Sequence, residues 1–269
     1  MRRRVLRRRS EQVRRQAFFD GAASQTSHVA VDTKGLTFIV STKDKSLSRG
    51  LFSSGNRPEF TVLPRACERI DCRGVFVDVG ANIGTTSLSA LRYFDRVIAV
   101  EPGPENAALL RANAALNGLE GRIEVHEAAC SSQSGEVQIR VTPNKHGGHA
   151  VKSPKPGTTS LVVPAVTLDE LIAGAGLAPT DVGLVWMDVE GYEAQALDGA
   201  RSLLEARVPL VVEIRARIAA ALLEVVGGRY SALVDLRDDL ELSLDALPEY
   251  LAGLHAARGR GFTDILFLP

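Results

Sequence analysis

The sequence predicts an α/β fold: a doubly wound, mostly parallel seven-stranded sheet with an N-terminal hairpin and a basic arm in front of it. Three observations carry this expectation. Short apolar runs of strand length alternate with segments whose apolar residues recur at helical spacing, the pattern of strands joined by right-handed crossover helices. The first core run opens into a glycine-containing turn, the place where an open parallel sheet presents its ligand. The chain has 269 residues, 45% hydrophobic and 24% charged, enough for one buried core and too polar for a membrane protein. No apolar run reaches the ~18–20 residues of a bilayer span, and the arginine-rich start is not followed by the apolar stretch of a signal peptide. A cytoplasmic location is expected. Cys67, Cys72 and Cys130 fit neither a disulfide framework nor zinc spacing, in keeping with a reducing compartment.

Residues 1–20 are read as a basic arm and 21–269 as one domain, with a hairpin and helix at 28–70 and a ligand-binding core at 71–269. Residues 1–15 hold eight arginines against Glu11, a charge of +7, and the remaining 24 basic and 31 acidic residues leave the body at −7. Such an arm binds nucleic acid, an anionic surface or the body itself, or stays solvated. It has no interleaved aromatics, which disfavours nucleic acid, and Phe18 and Phe19 are positioned to anchor it as a short amphipathic helix.

HVAVDTKGLTFIVST (28–42) reads as a hairpin turning at Lys34-Gly35. Residues 58–70 read as a helix opening at Pro58, and Gly74 releases the chain into VFVDV (75–79), the first core strand. A helix starting near Thr85 leads to VIAV (97–100). The next helix is PGPENAALLRANAALNG (102–118), with proline early and Gly118 as its stop. RIEVHEAA (122–129), LVWMDV (184–189) and PLVVEI (209–214) are the third to fifth strands, and EAQALDGARSLLEA (193–206) is one helix between the last two. EVQIRV (136–141) and SLVVPAVTL (160–168) read as extra strands around a polar, Gly- and Pro-rich loop at 142–158. YSALVDL (230–236) and TDILFLP (263–269) complete the strands around a helix at 248–258. No internal repeat is present.

The chemistry gathers at the carboxyl ends of these strands. Asp78–Gly84 reads DVGANIG, and Glu101 closes the second strand 21 residues after Gly80, the spacing at which an acid hydrogen-bonds ribose hydroxyls. A dinucleotide fingerprint would place glycine where Asn82 stands, and Asp78 puts negative charge where a phosphate would lie. S-adenosylmethionine, with no phosphate and a cationic sulfonium, fits better than NAD.

These residues resemble the FkbM-type class I methyltransferases. The carrying strings are FVDVGANIG (76–84), VIAVEPGPENAALLRANAALNG (97–118), AVTLDEL (165–171), WMDVEGYEAQALDGARSLL (186–204) and PLVVEI (209–214), in the family's order over roughly residues 70–215. Trp186-Met187 stands where the family commonly has an Ile-Lys pair, and the arm lies outside the motif set. The resemblance implies a Rossmann-like class I methyltransferase sheet. It also implies that Asp78, Gly80 and Asn82 line the methionine half of the cofactor, that Glu101 holds the ribose, that Glu127 and Ala128 flank the adenine, and that Asp188 sits beside sulfonium and substrate.

Methyl transfer to oxygen needs in-line positioning and a base. Asp188, Glu190, Glu193, Glu213, His146 and His149 are candidates, with Asp188 and Glu213 favoured. His146 and His149 lie in the 142–158 loop, either closing over the substrate or simply solvated. Asp188, Glu190 and Glu193 offer oxygens to Mg²⁺, but without a dedicated spacing, so no metal is expected. The activity expected is S-adenosylmethionine-dependent O-methylation of a hydroxyl on a small molecule, sugar or natural product. The alternatives are an RNA methyltransferase recruited by the arm through residues 2–15, or a non-catalytic cofactor-binding partner protein.

Overall fold

The computed structural model describes residues 2–141, 150–151, 159–259 and 261–269, with the backbone alone for 2–8, 150, 151 and 255. His146 and His149, and most of the 142–158 loop, lie outside the described residues.

The arm is helical: α1 runs Arg2–Ala22. Its far end is tied down, for Phe19 is fully buried, and the rings of Phe18 and Phe19 lie 5.9 and 5.4 Å from Phe52. Asp20 pairs with Arg49 at 2.6 Å. The hairpin forms as expected: β1 (His28–Thr33) and β2 (Leu36–Ser41) pair antiparallel through Lys34 and Gly35, both at positive φ, the geometry of a tight two-residue turn. Helix α2 (Leu47–Ser54) is an element the sequence reading missed. Its serine- and glycine-rich composition reads as loop, yet Leu47 and Leu51 bury one face, and the Asp44 carboxylate accepts the free N–H groups of Ser46 and Ser48 at 2.9 and 2.8 Å. Helix α3 (Glu59–Cys67) follows.

The large sheet starts with β3 (Val75–Val79), buried at every position. Then come α4 (Thr85–Ala90), β4 (Arg96–Val100), α5 (Pro104–Leu116) and β5 (Ile123–His126). After β6 (Ala129–Cys130), β7 (Gly135–Val141), β8 (Ala150–Val151), β9 (Thr159–Val166) and α6 (Leu168–Gly174), the chain returns as β10 (Val182–Met187). It continues through α7 (Glu193–Asp198), α8 (Arg201–Glu205), β11 (Leu210–Arg215), α9 (Ala219–Val226), β12 (Ala232–Asp235), β13 (Leu240–Leu242), α10 (Leu247–Arg258) and β14 (Phe262–Leu268). The sheet order is β13-β12-β14-β11-β10-β3-β4-β5, with β11, β10, β3, β4 and β5 parallel and the pairs involving β14 and β13 antiparallel.

This corrects four expectations. The sheet has eight strands rather than seven, because β13, three residues long and mostly exposed, hairpins onto β12 and is too short to show a periodicity. The run 122–129 divides: β5 ends at His126, and β6 leaves the large sheet to pair with β9. The extra strands at 136–141 and 160–168 lie outside the large sheet, in a separate four-stranded one ordered β6-β9-β7-β8. The second of them stops at Val166, where a Thr167–Glu170 capping box starts α6. The helix expected at 193–206 is broken at Gly199, where a Cβ would lie 2.1 Å from the Ser131 carbonyl oxygen.

Two apolar layers cover the sheet. Val75, Val77 and Val79 face one cluster with α6 to α10, while Phe76 faces the other with α1 to α5 and the hairpin, the period-two alternation of a strand buried on both sides. Asp78 shares the face of Phe76 and so points toward α4. From β3 the chain winds one way to β4 and β5, then crosses to β10 on the other side. The switch point lies between β3 and β10, and a crevice opens there at the strands' carboxyl ends.

Candidate active site

The Gly80–Gly84 turn is built from backbone. The N–H groups of Gly80 and Ala81 donate to the Val100 carbonyl at 2.9 and 3.1 Å, and that of Asp188 donates to Val79 at 3.0 Å. Gly80 has φ 86°, and a Cβ there would sit 2.1 Å from the Asp188 carbonyl oxygen, so the two switch-point strands close on each other only around glycine. Asn82 is also left-handed, at φ 54°. Its side-chain oxygen accepts the Ile83 N–H at 2.9 Å, and its own N–H donates to Glu101 Oε2 at 2.9 Å.

Glu101 is 4% exposed. Besides Asn82 it accepts the Gly103 N–H at 2.8 Å and the Asn106 amide at 3.2 Å, both on Oε1. A carboxylate offers about four acceptor positions, so one remains on Oε2. Burial pushes its pKa to about 7 against the pull of these donors. Asp78, 1% exposed, accepts the Ser87 hydroxyl from α4, and burial raises it to about 7 as well.

These groups line a cavity of about 580 Å³. One wall carries Asp78, Gly80, Asn82, Glu101 and Ala128. From the β10, β11 and β12–β14 side of the sheet come Asp188, Glu190, Glu213, Arg215, Arg237 and Asp264. Asp188 is exposed onto the cavity, although its carboxylate is crowded by protein atoms. Its carboxylate has no hydrogen-bond partner among the described residues, and burial and the charge of Glu213 push its pKa well up. Glu213 is held at 3.0 Å by Arg215 and at 3.7 Å by Arg237, while burial and Asp264 push it to about 7. Arg237 also binds Asp264 at 2.6 Å. Both guanidinium groups lie over the Phe262 ring, 5.1 and 4.7 Å from its centre.

The structure thus brings together Asp78, Gly80, Asn82, Glu101, Ala128, Asp188 and Glu213 from the sequence reading. Glu127 does not line the cavity: it is exposed and pairs with Arg111 at 3.3 Å. Glu190 turns to Arg215 at 3.1 Å, and Glu193 folds back onto the Gly191 N–H at 2.9 Å. Asp188, Glu190 and Glu193 therefore do not converge, and among the described residues no three His, Cys, Asp or Glu side chains are grouped to hold a metal. Trp186 and Met187 are core residues; Trp186 also touches the cavity and stands 6.5 Å from the ring of Phe76.

Sequence reasoning missed Arg57, Glu59, Tyr192, Arg237, Phe262 and Asp264. Their elements, the start of α3 and the β12–β14 edge, bear no local motif, and only the sheet order carries them to the cavity. Tyr192 alone had a signal, lying inside the D-V-E-G-x-E string.

A family model described as the methyltransferase FkbM domain matches residues 78–226, more than half of the chain. Hexuronic acid methyltransferase AglP of Haloferax volcanii is 28% identical over 163 residues, 60% of this chain and 64% of that protein. The 2-O-methyltransferase NoeI of Sinorhizobium fredii is 28% identical over 149 residues, 48% of this chain and 58% of that protein. The chain thus spans less than two thirds of the length of these relatives. Among solved structures, methyltransferase FkbM from Methylobacillus flagellatus aligns at 20% identity and a TM-score of 0.44, covering 81% of this chain and 52% of that one. A SAM-dependent methyltransferase from Agrobacterium tumefaciens aligns at 11% identity and 0.49, covering 90% and 70%. With the family model matched from the acid of the glycine turn to the end of α9, the chain belongs to the FkbM methyltransferase family.

Proposed function

We propose that the chain is an S-adenosylmethionine-dependent O-methyltransferase acting on a hydroxyl of a sugar or sugar acid. Residues 21–269 are its methyltransferase domain, 71–269 the cofactor-binding core, and 1–20 an appended arm. Three free cysteines favour work in the cytoplasm. The observation that carries the reading is Glu101, fixed at the end of β4 by three donors and left with one acceptor position, beside a glycine turn too acidic for a pyrophosphate. The donor set suits this cofactor: Glu101 for a ribose hydroxyl, Ala128 for the flank of the adenine, and the carboxylates of Asp78 and Asp188 for a cation. When bound, S-adenosylmethionine supplies an electrophilic methyl group.

The protein's own part is orientation and proton removal. Asp188, unpaired and open to the cavity, takes the acceptor's hydroxyl proton; Glu213 sits within its electrostatic reach. Burial and the charge of Glu213 raise Asp188 above an ordinary carboxylate, so its ionised form is the stronger base. Arg215 and Arg237 hold Glu213 and Asp264 in place over Phe262, a polar and aromatic wall that suits a polyhydroxylated acceptor. The names of the two relatives, a hexuronic acid methyltransferase and a 2-O-methyltransferase, support a sugar-type acceptor.

The test is transfer of radiolabelled methyl from S-adenosylmethionine to neutral sugars and to hexuronates. Asp188→Asn should lower turnover by about 10²–10⁴-fold while leaving the affinity for S-adenosylhomocysteine within a few-fold. Undiminished turnover in that variant would remove Asp188 from the base role.

A further inference from the structure

None of the described α1 side chains lines the cavity. The helix concentrates eight arginines against Glu11 in residues 2–15, and its other acid, Asp20, is taken by Lys45 and Arg49 of the body at 3.5 and 2.6 Å. Arg3 and Arg7, and Arg4 and Arg8, stand four apart, a repulsive spacing on a helix, so a polyanionic surface would stabilise it. The same helix bears the two most exposed large apolar side chains among the described residues, Val13 at 64% and Phe18 at 63%. Phe19 and Arg15 face the body: Phe19 is fully buried, and the Arg15 guanidinium lies 5.4 Å from the centre of the Phe52 ring. Val13, Arg14, Ala17 and Phe18 are exposed. Phe18 lays one ring face on Phe52 and leaves the rest to solvent.

We propose that α1 docks the chain on an anionic lipid bilayer, lying in the headgroup plane with arginines on lipid phosphates and Val13 and Phe18 in the acyl boundary. At 21 residues the helix is long enough to cross, but arginines at this density forbid that and leave the surface as its place. The exposed apolar pair selects a bilayer over a nucleic-acid duplex, whose phosphates match the arginines but give valine no apolar phase to enter. The body, at −7, is repelled by such a surface, so the arm is the contact. Its root is close to the site: Phe52 lies on α2, and Leu47, the first residue of that helix, lines the cavity roughly 8 Å away along the helix axis.

The experiment is sedimentation of the full-length chain with vesicles of phosphatidylcholine, alone and with about a third phosphatidylglycerol. Binding to the mixed vesicles should be at least about tenfold tighter than to the neutral ones, and the difference should shrink as salt is raised from about 0.05 to about 0.5 M. Removing residues 1–14 should abolish it. Arg14→Glu should weaken it about 10–30-fold, two units of charge at roughly fivefold each. Val13→Ser should weaken it about 3–10-fold and leave any binding to a mixed-sequence RNA duplex unchanged. Both side chains are exposed, so the melting temperatures of these two variants should match the wild type, which shows that they are folded. Equal binding to neutral and mixed vesicles, wild-type binding by the truncated chain, or no vesicle binding by the folded full-length chain overturns the proposal. Tighter binding to the RNA duplex than to the mixed vesicles, with Val13→Ser without effect on either, would make the arm a nucleic-acid grip and overturn it as well.

Discussion

Glu101 collects three donors on one buried carboxylate because Asn82 turns its N–H inward from a left-handed backbone. Replacing it by Gln keeps the shape but puts an amide where Asn82 and Gly103 donate. Glu101→Gln should therefore weaken S-adenosylhomocysteine by roughly 1.5–3 kcal/mol in calorimetry. The acids of the cavity also set a pH dependence. Burial raises Asp78, Glu101 and Glu213 to about 7 and Asp264 to about 6. The unfolded chain gives up those protons near pH 4, so unfolding between these values releases protons and stability falls as pH rises. The melting temperature of the ligand-free protein should drop from about pH 5 to about pH 7.5, and Glu101→Gln should flatten the drop. Asp78, Gly80 and Glu101 were legible in the sequence because a strand, a glycine turn and an acid at fixed spacing are local. Arg57, Arg237, Phe262 and Asp264 were not, since each is a residue of ordinary surroundings brought to the cavity by distant pairing.

Strand β3 and the turn after it form the element on which the site depends. Gly80→Ala would press a methyl against the Asp188 carbonyl and force a left-handed alanine. We expect it to cost about 2–4 kcal/mol in denaturant unfolding and to abolish ligand binding. Gly21→Ala is the control: nothing lies within 4 Å of a Cβ there, and the change should be neutral or slightly stabilising. The same contrast explains what pattern reading resolved. The core strands stand out because both faces are buried. Helix α2 is held by an aspartate cap and two leucines, too few apolar positions to show a period, and the break at Gly199 answers to a carbonyl of a different element.

At the scale of the molecule, the sheet order places one crevice between β3 and β10 and lets the β12–β14 edge close its far side. The doubly wound sheet with its chemistry at the strands' carboxyl ends followed from the alternation of strands and helices; the strand order did not. The separate four-stranded sheet did not, because its strands look like any others until β6 leaves the large sheet. Among the described residues, helix α1 joins the body through its last turns, and residues 9–14 are exposed. Removing residues 1–14 should leave the melting temperature within about 2 °C and S-adenosylhomocysteine affinity unchanged; a large loss of either would make the arm part of the folded core. No helix among the described residues is long and apolar enough to cross a membrane. The most direct measurement is calorimetric titration of the wild-type chain and Glu101→Gln with S-adenosylhomocysteine. Binding in the micromolar range, about −8 kcal/mol, that weakens at least tenfold in the variant is the predicted result. No binding to the folded wild-type protein, or equal binding by both, would contradict it.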